Sequence, residues 1–135
     1  MRDLFLVTHA QSIHHVEKKV GGWYDTELTE RGQADASLIA EALFTLIGHS
    51  KVEILSSDLK RASQTADFIG RVFGRPVAHT RALREISYGV AGGKPQEWLD
   101  ARYIPAPDAD RLDHRGNIEE AESRRDVADR VYPFM

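Results

Sequence analysis

Two amphipathic helical segments alternate with short strand-like segments in the first part of the chain. Within residues 29–48, and again within residues 58–73, apolar side chains recur about every 3.6 residues, the period of a helix with one buried face. Strand-like apolar runs flank these helices at residues 3–8, 52–55 and 76–79. Strands that alternate with helices predict an α/β fold with a mostly parallel sheet, because a crossover helix joins parallel neighbours.

Polar and glycine residues mark the expected ends of the two helices. Thr29 is suited to cap the first helix, and Gly48 is suited to end it. Asp58 or Ser57 is expected to cap the second helix, which Gly74 ends. Each boundary is thus predicted from residues that lie within or next to the helix itself.

The remaining stretches carry weaker patterns. Residues 9–28 form a long polar connection without a helical or alternating period, and such a connection in a compact domain favours a functional loop. Residues 103–116 are expected to be irregular. Asn117, with Glu120 three residues later, resembles a capping box, so a helix is predicted from there to about Tyr132.

Composition and charge narrow the class of protein. The chain has 135 residues, 41% hydrophobic and 29% charged, which suits a single domain over residues 1–135. Its net charge of −3 gives no basic surface for nucleic acid, and the absence of cysteine excludes disulfides and thiol catalysis. No apolar run is long enough to span a membrane, and no secretion signal begins the chain. We therefore expect a cytoplasmic protein that binds neither nucleic acid nor membrane.

Three side chains fall where an α/β sheet places its ligands, near the carboxyl ends of the strands. His9 follows the first predicted strand, Arg61 lies in the first turn of the second helix, and Glu85 follows the third strand. A neutral imidazole can attack phosphorus, an arginine at a helix start suits a phosphate, and a carboxylic acid can protonate a leaving oxygen. Together they indicate phosphoryl transfer through a phosphohistidine. Taken singly, the arginine and the glutamate also fit ordinary solvated positions.

The adjacent histidines His14 and His15 are a candidate pair of metal ligands. Neighbouring side chains on an extended segment point to opposite sides, and no H-E-x-x-H motif or carboxylate cluster accompanies the pair. We therefore expect no metal site.

Four motifs, in order along the chain, resemble those of the histidine phosphatase superfamily, also called the phosphoglycerate mutase-like family. Leu6–Ser12 corresponds to L-V-R-H-G-E-[ST], and Gly22–Gly32 corresponds to G-W-x-D-x-P-L-T-E-x-G. Ser56–Ala66 matches S-S-D-L-x-R-x-x-Q-T-A throughout, and Leu83–Gly89 matches L-R-E-x-x-[FY]-G.

This resemblance implies a three-layer α/β/α fold of the phosphoglycerate mutase type, and a phosphatase that hydrolyses a small phosphomonoester. It implies that His9 is the phosphorylated nucleophile, that Arg61 binds the phosphate and that Glu85 is the proton donor. It also implies that no metal or organic cofactor takes part. Further phosphate contacts are expected from polar residues near the nucleophile: Thr8, Ser12 and His15.

The chain departs from the family pattern in two respects. Thr8 stands where the family has an arginine before the nucleophile, and Ala10 stands where it has a glycine. Thr8 offers a hydroxyl group but no charge, and one charged clamp can be worth about 10³–10⁵ in the rate of phosphoryl transfer. Family domains usually continue into a strand that ends in a second histidine, so this C-terminal part is expected to be absent from the chain, which ends at Met135. Two other functions stay open: a phosphate- or phosphoprotein-binding module with little or no catalysis, and a phosphomutase.

Overall fold

The computed structural model describes residues 3–134, and it has the α/β class and the parallel sheet that the sequence predicts. Strand β1 (Ile54–Ser57) pairs in parallel with strand β2 (Val77–Thr80), with Ile54 opposite Val77 and Ser57 opposite Thr80. The described part of the chain has five α-helices: α1 (Ile13–Val16), α2 (Glu30–Ile47), α3 (Lys60–Phe73), α4 (Gln96–Asp100) and α5 (Arg124–Val131). Single 3₁₀ turns occupy Arg81–Leu83, Gly89–Ala91, Asp108–Asp110 and Tyr132–Phe134.

Helices α2 and α3 pack against each other, and α3 also packs on both strands. Ala36 of α2 is fully buried with Ala10 and Leu28, and Phe68 of α3 packs against this group. A second buried cluster joins the polar connection to the C-terminal half: Val20, Ala91, Leu99, Ile118 and Ala121. The long connection is therefore folded onto the protein, which fixes the groups that it carries.

The predicted ends of α2 and α3 are confirmed in three of four cases. The Thr29 hydroxyl accepts a hydrogen bond from the Gly32 N–H, and Gly48 ends α2. Gly74 ends α3 in the left-handed conformation, with φ at 61°. The prediction that Asp58 or Ser57 caps α3 is wrong, because Leu59 is the N-cap residue and makes no side-chain cap bond.

The prediction of a buried strand at residues 3–8 is wrong. These residues belong to no strand, and they are exposed, Leu6 to 87% of its surface. A strand requires a hydrogen-bonded neighbour, and within residues 3–134 only β1 and β2 form a ladder. The apolar run of 3–8 gives the propensity for a strand but does not supply that partner.

The predicted helix start at Asn117 and Glu120 is also wrong. Both residues have positive φ, 58° and 60°, which a right-handed helix does not allow. Helix α5 begins later, with Ser123 as its cap: the Ser123 hydroxyl accepts from the Asp126 N–H, and the Asp126 carboxylate accepts from the Ser123 N–H. No helix of the described chain is long and apolar enough to cross a membrane.

Candidate active site

The His9 side chain is partly buried and is held through one ring nitrogen. Its Nδ1 lies 2.7 Å from the backbone carbonyl oxygen of Ala10. Because a carbonyl oxygen only accepts hydrogen bonds, Nδ1 carries the proton in this contact. The neutral ring therefore has its lone pair on Nε2, which makes Nε2 the nucleophilic atom.

Burial is the main cause that lowers the pKa of His9 below its ordinary value of 6.5. The Ala10 carbonyl opposes this effect, since it stabilises the protonated ring. The charge of Arg61 and the neighbouring His15 lower the pKa further, and the Glu85 carboxylate raises it. The net result is an imidazole that stays neutral, and hence nucleophilic, below the pH at which a free histidine becomes protonated.

Two neighbouring elements fix the backbone around His9. The Ala10 N–H donates to Thr65 Oγ1 at 3.2 Å, and that hydroxyl donates to the Arg61 carbonyl at 2.8 Å, so the segment is tied to α3. On the other side, the Thr29 N–H donates to the Gln11 carbonyl at 3.0 Å. The start of α2 approaches this carbonyl so closely that a Cβ atom on the buried Gly32 would overlap it.

A cluster of imidazoles lies beside His9. The His15 ring stacks on the His9 ring, with centroids 5.3 Å apart and planes inclined by 13°, and the His14 ring lies 4.2 Å from His15. The expectation that His14 and His15 point to opposite sides is wrong, because both lie on helix α1 rather than on an extended segment. Ser12 Oγ joins the pair, at 2.9 Å from Nδ1 of His14 and 3.3 Å from Nδ1 of His15.

His14 is the most buried member of this cluster, with 4% of its surface exposed. Its Nδ1 also lies 2.9 Å from Thr26 Oγ1. Burial, assisted by the nearby His15 and Arg61, lowers the pKa of His14 to about 4. His14 is therefore a neutral, hydrogen-bonded core residue at neutral pH.

Arg61 is the largest fully buried side chain, with 1% of its surface exposed. Nη2 donates to the Gly22 carbonyl at 2.6 Å and to Glu85 Oε2 at 3.1 Å, and Nη1 donates to the Tyr24 carbonyl at 3.0 Å. A guanidinium has five N–H groups, so the second Nη1 proton and the Nε proton remain for a ligand. The Arg61 charge is thus held in place by contacts within the protein.

Glu85 is fixed at its backbone while its carboxylate stays 47% exposed. Its carbonyl accepts from Trp23 Nε1 at 2.9 Å and from Arg130 Nη2 at 3.0 Å. The carboxylate contacts Arg61 and remains open to solvent, the arrangement that a group exchanging protons with a substrate or water requires.

The structure thus brings together His9, Arg61, Glu85 and His15, whereas Thr8 is exposed and Ser12 is buried. The Ser12 hydroxyl faces the two imidazoles. Among residues 3–134, the Thr8 side chain makes no hydrogen bond, and no three His, Asp or Glu side chains are grouped so as to hold a metal ion.

Sequence reasoning missed the residues that hold the site from a distance. Asp25 Oδ1 accepts a hydrogen bond from the Lys60 N–H at 2.8 Å and so caps the first turn of α3. Asp58 accepts two hydrogen bonds from the Arg84 guanidinium. Thr65 fixes the backbone at Ala10. These partners are up to 55 positions apart in the chain, so no local spacing could have identified them.

The model of one protein family matches nearly the whole chain, over residues 4–135: the histidine phosphatase superfamily, branch 1. The chain belongs to this superfamily. The resemblance found in the four motifs is therefore confirmed, and the chain can be compared with individual relatives of the superfamily.

Three relatives illustrate the comparison. Glucosyl-3-phosphoglycerate phosphatase of Mycolicibacterium vanbaalenii is 35% identical over 100% of this chain and 59% of its own length. Fructose-2,6-bisphosphatase of Saccharomyces cerevisiae is 32% identical over 98% of this chain and 28% of its own. The solved structure of mycobacterial glucosyl-3-phosphoglycerate phosphatase with VO3 gives a TM-score of 0.77 at 36% identity, over 93% of this chain and 61% of that one. The chain thus has the predicted phosphoglycerate mutase-like fold, and it spans less than two thirds of the length of these relatives.

Proposed function

We propose that the protein hydrolyses a small phosphomonoester through a phosphohistidine on His9. In the first step, His9 Nε2 attacks phosphorus as the bond to the leaving oxygen breaks, and Glu85 in its acid form gives that oxygen a proton. In the second step, Glu85 takes a proton from water, which attacks phosphorus and releases the imidazole and inorganic phosphate. The observation that carries the proposal is the Nδ1 contact of His9 with the Ala10 carbonyl, because it leaves Nε2 free to attack.

Arg61 is the proposed ligand of the phosphoryl oxygens. Its two uncommitted N–H groups and its buried charge suit a phosphate, whose charge grows on the oxygens during transfer. His15 stacks on the nucleophile and adds a polar edge beside it. The names of relatives support a phosphatase, since the two curated relatives described above are phosphatases.

The direct test traps the phosphorylated protein. The protein is mixed for milliseconds with a phosphomonoester labelled on phosphorus and quenched in alkaline detergent, in which phosphohistidine survives. We expect label on the protein and a burst of leaving group, and we expect both to be lost in His9→Ala. The control is His79→Ala, which removes an exposed histidine on β2. Full turnover in His9→Ala, with no label in the parent protein, would contradict the mechanism.

A phosphate-binding module without turnover is the second candidate, and Thr8 favours it. An uncharged, exposed threonine stands where the family supplies a cation to the transition state. Binding of phosphate without hydrolysis across alkyl, aryl and acyl phosphates would support this candidate, whereas multiple turnovers would exclude it.

A further inference from the structure

The Trp23 ring is hydrogen-bonded to the proposed proton donor, Glu85, and three guanidinium groups lie near its centroid. Its indole N–H donates to the Glu85 carbonyl, which fixes the ring next to that residue. The guanidinium carbons of Arg81, Arg84 and Arg130 lie 4.6, 5.2 and 6.0 Å from the ring centroid. Three arginines are therefore gathered around one aromatic ring, whose N–H is hydrogen-bonded to Glu85.

The three arginines differ in how many N–H groups remain for a ligand. Arg130 donates hydrogen bonds from Nε and Nη2 to the Glu122 carboxylate, and from Nη1 and Nη2 to two backbone carbonyls. Arg84 directs Nε and Nη2 to Asp58. The exposed Arg81, in contrast, makes no side-chain hydrogen bond or ion pair within residues 3–134. Arg81 is thus a cation held against an aromatic face with its donors open to solvent.

The chemistry of the first step places the leaving group on this side of the site. In the proposed mechanism Glu85 protonates the leaving oxygen, so the leaving group must lie near the Glu85 side chain, and the Trp23 ring is hydrogen-bonded to the backbone carbonyl of this same residue. We propose that Arg81, stacked on Trp23, binds a second anionic group of the substrate, a carboxylate or a second phosphate on the leaving part. The guanidinium fork matches either group in geometry and charge. This inference rests on the proposed function and names its substrate class.

A matched pair of substrates tests it. 3-Phosphoglycerate and glycerol 3-phosphate differ in one group, a carboxylate against a hydroxymethyl. We expect kcat/KM to favour 3-phosphoglycerate, and we expect Arg81→Met to reduce that preference by about tenfold to hundredfold, mainly through KM, as for a lost charge-assisted hydrogen bond. Arg81→Lys keeps the charge and is expected to retain part of the preference. The control, Arg71→Met, removes an arginine in the last turn of α3 that stacks on a different aromatic ring, Phe68.

The outcomes separate this inference from the proposed function. Hydrolysis of both substrates without preference, or with a preference that Arg81→Met leaves intact, would overturn the role of Arg81 while the phosphatase stands. If neither substrate is hydrolysed, the proposed function fails, and the affinities of the two compounds for the parent protein decide the role of Arg81 by calorimetry. Tighter binding of 3-phosphoglycerate that is lost in Arg81→Met supports the anion site, and equal affinities overturn it.

Discussion

The buried imidazole of His14 makes the stability of the protein depend on pH. In the unfolded chain the pKa of His14 returns to about 6.5, whereas burial lowers it to about 4 in the folded protein. This difference corresponds to about 3.5 kcal/mol at about 1.4 kcal/mol per pH unit, and the residue is only 4% exposed, so solvent screens little of it. At pH 5 the linkage relation gives a loss of about 2 kcal/mol relative to pH 8.

The direction follows from which state binds the proton. Above pH 6.5 both states of His14 are neutral, and the contribution to stability is fully present. As the pH falls from 6.5 towards 4, the unfolded state takes up the proton first, so the free energy of unfolding decreases; below about 4 the loss is complete.

Urea unfolding of the protein and of His14→Gln, followed by circular dichroism between pH 8 and pH 4.5, measures this effect. Glutamine offers a neutral oxygen to the Ser12 and Thr26 hydroxyls but does not titrate. The carboxylates and other histidines titrate in both proteins, so their contributions largely cancel in the difference. We expect the parent protein to lose about 2 kcal/mol more than the variant between pH 8 and pH 5. Equal losses in the two proteins would refute the reasoning.

Three further predictions concern the site and its support. In Glu85→Gln, turnover of glycerol 3-phosphate is expected to fall by about 10²–10⁴, and turnover of p-nitrophenyl phosphate by much less, because nitrophenolate leaves without a proton. Gly32→Ala is expected to lower the free energy of unfolding by about 1–3 kcal/mol in urea, since the added Cβ overlaps the Gln11 carbonyl. Because burial lowers the pKa of His9, the acidic limb of kcat/KM against pH is expected below 6.5.

Each of these has a result that would contradict it. Equal losses with both leaving groups would show that Glu85 is not the proton donor. A Gly32→Ala protein as stable as the control Gln33→Ala, which changes an exposed neighbour on α2, would show that the close approach is not needed. An acidic limb at or above 6.5 that shifts in no active-site variant would argue against a buried neutral His9.

The sequence predicted those features that depend on local periodicity and local caps. Helix α2, its Thr29 cap and its Gly48 end are local features, and all three are observed. The face that its apolar period indicates is exposed, however, since Leu38 and Leu46 are 65% and 72% exposed, and the buried face carries Ala36 and Ala40 instead. The joining of Arg61 and Glu85 was also predictable, because the ends of β1 and β2 meet at one edge of a parallel sheet.

The features that sequence reasoning missed depend on distant partners. Residues 13–16 have no helical period, and the helix α1 that turns His14 and His15 to one side is held by Thr26, on another part of the connection. At the start of α3, the Lys60 N–H donates to the side chain of Asp25, which is distant in sequence, rather than to a residue beside it. The strand expected at residues 3–8 failed for the same reason, because pairing requires a neighbour that an apolar run does not specify.

The most direct test of the central claim is the identity of the phosphorylated nitrogen. The trapped protein is digested under alkaline conditions, and the phosphohistidine is compared by chromatography and phosphorus NMR with the Nδ1- and Nε2-phosphorylated standards. Because Nδ1 of His9 donates to the Ala10 carbonyl, we predict phosphate on Nε2 of His9 alone. Phosphate on Nδ1, on another residue, or on no residue during active turnover would contradict the account.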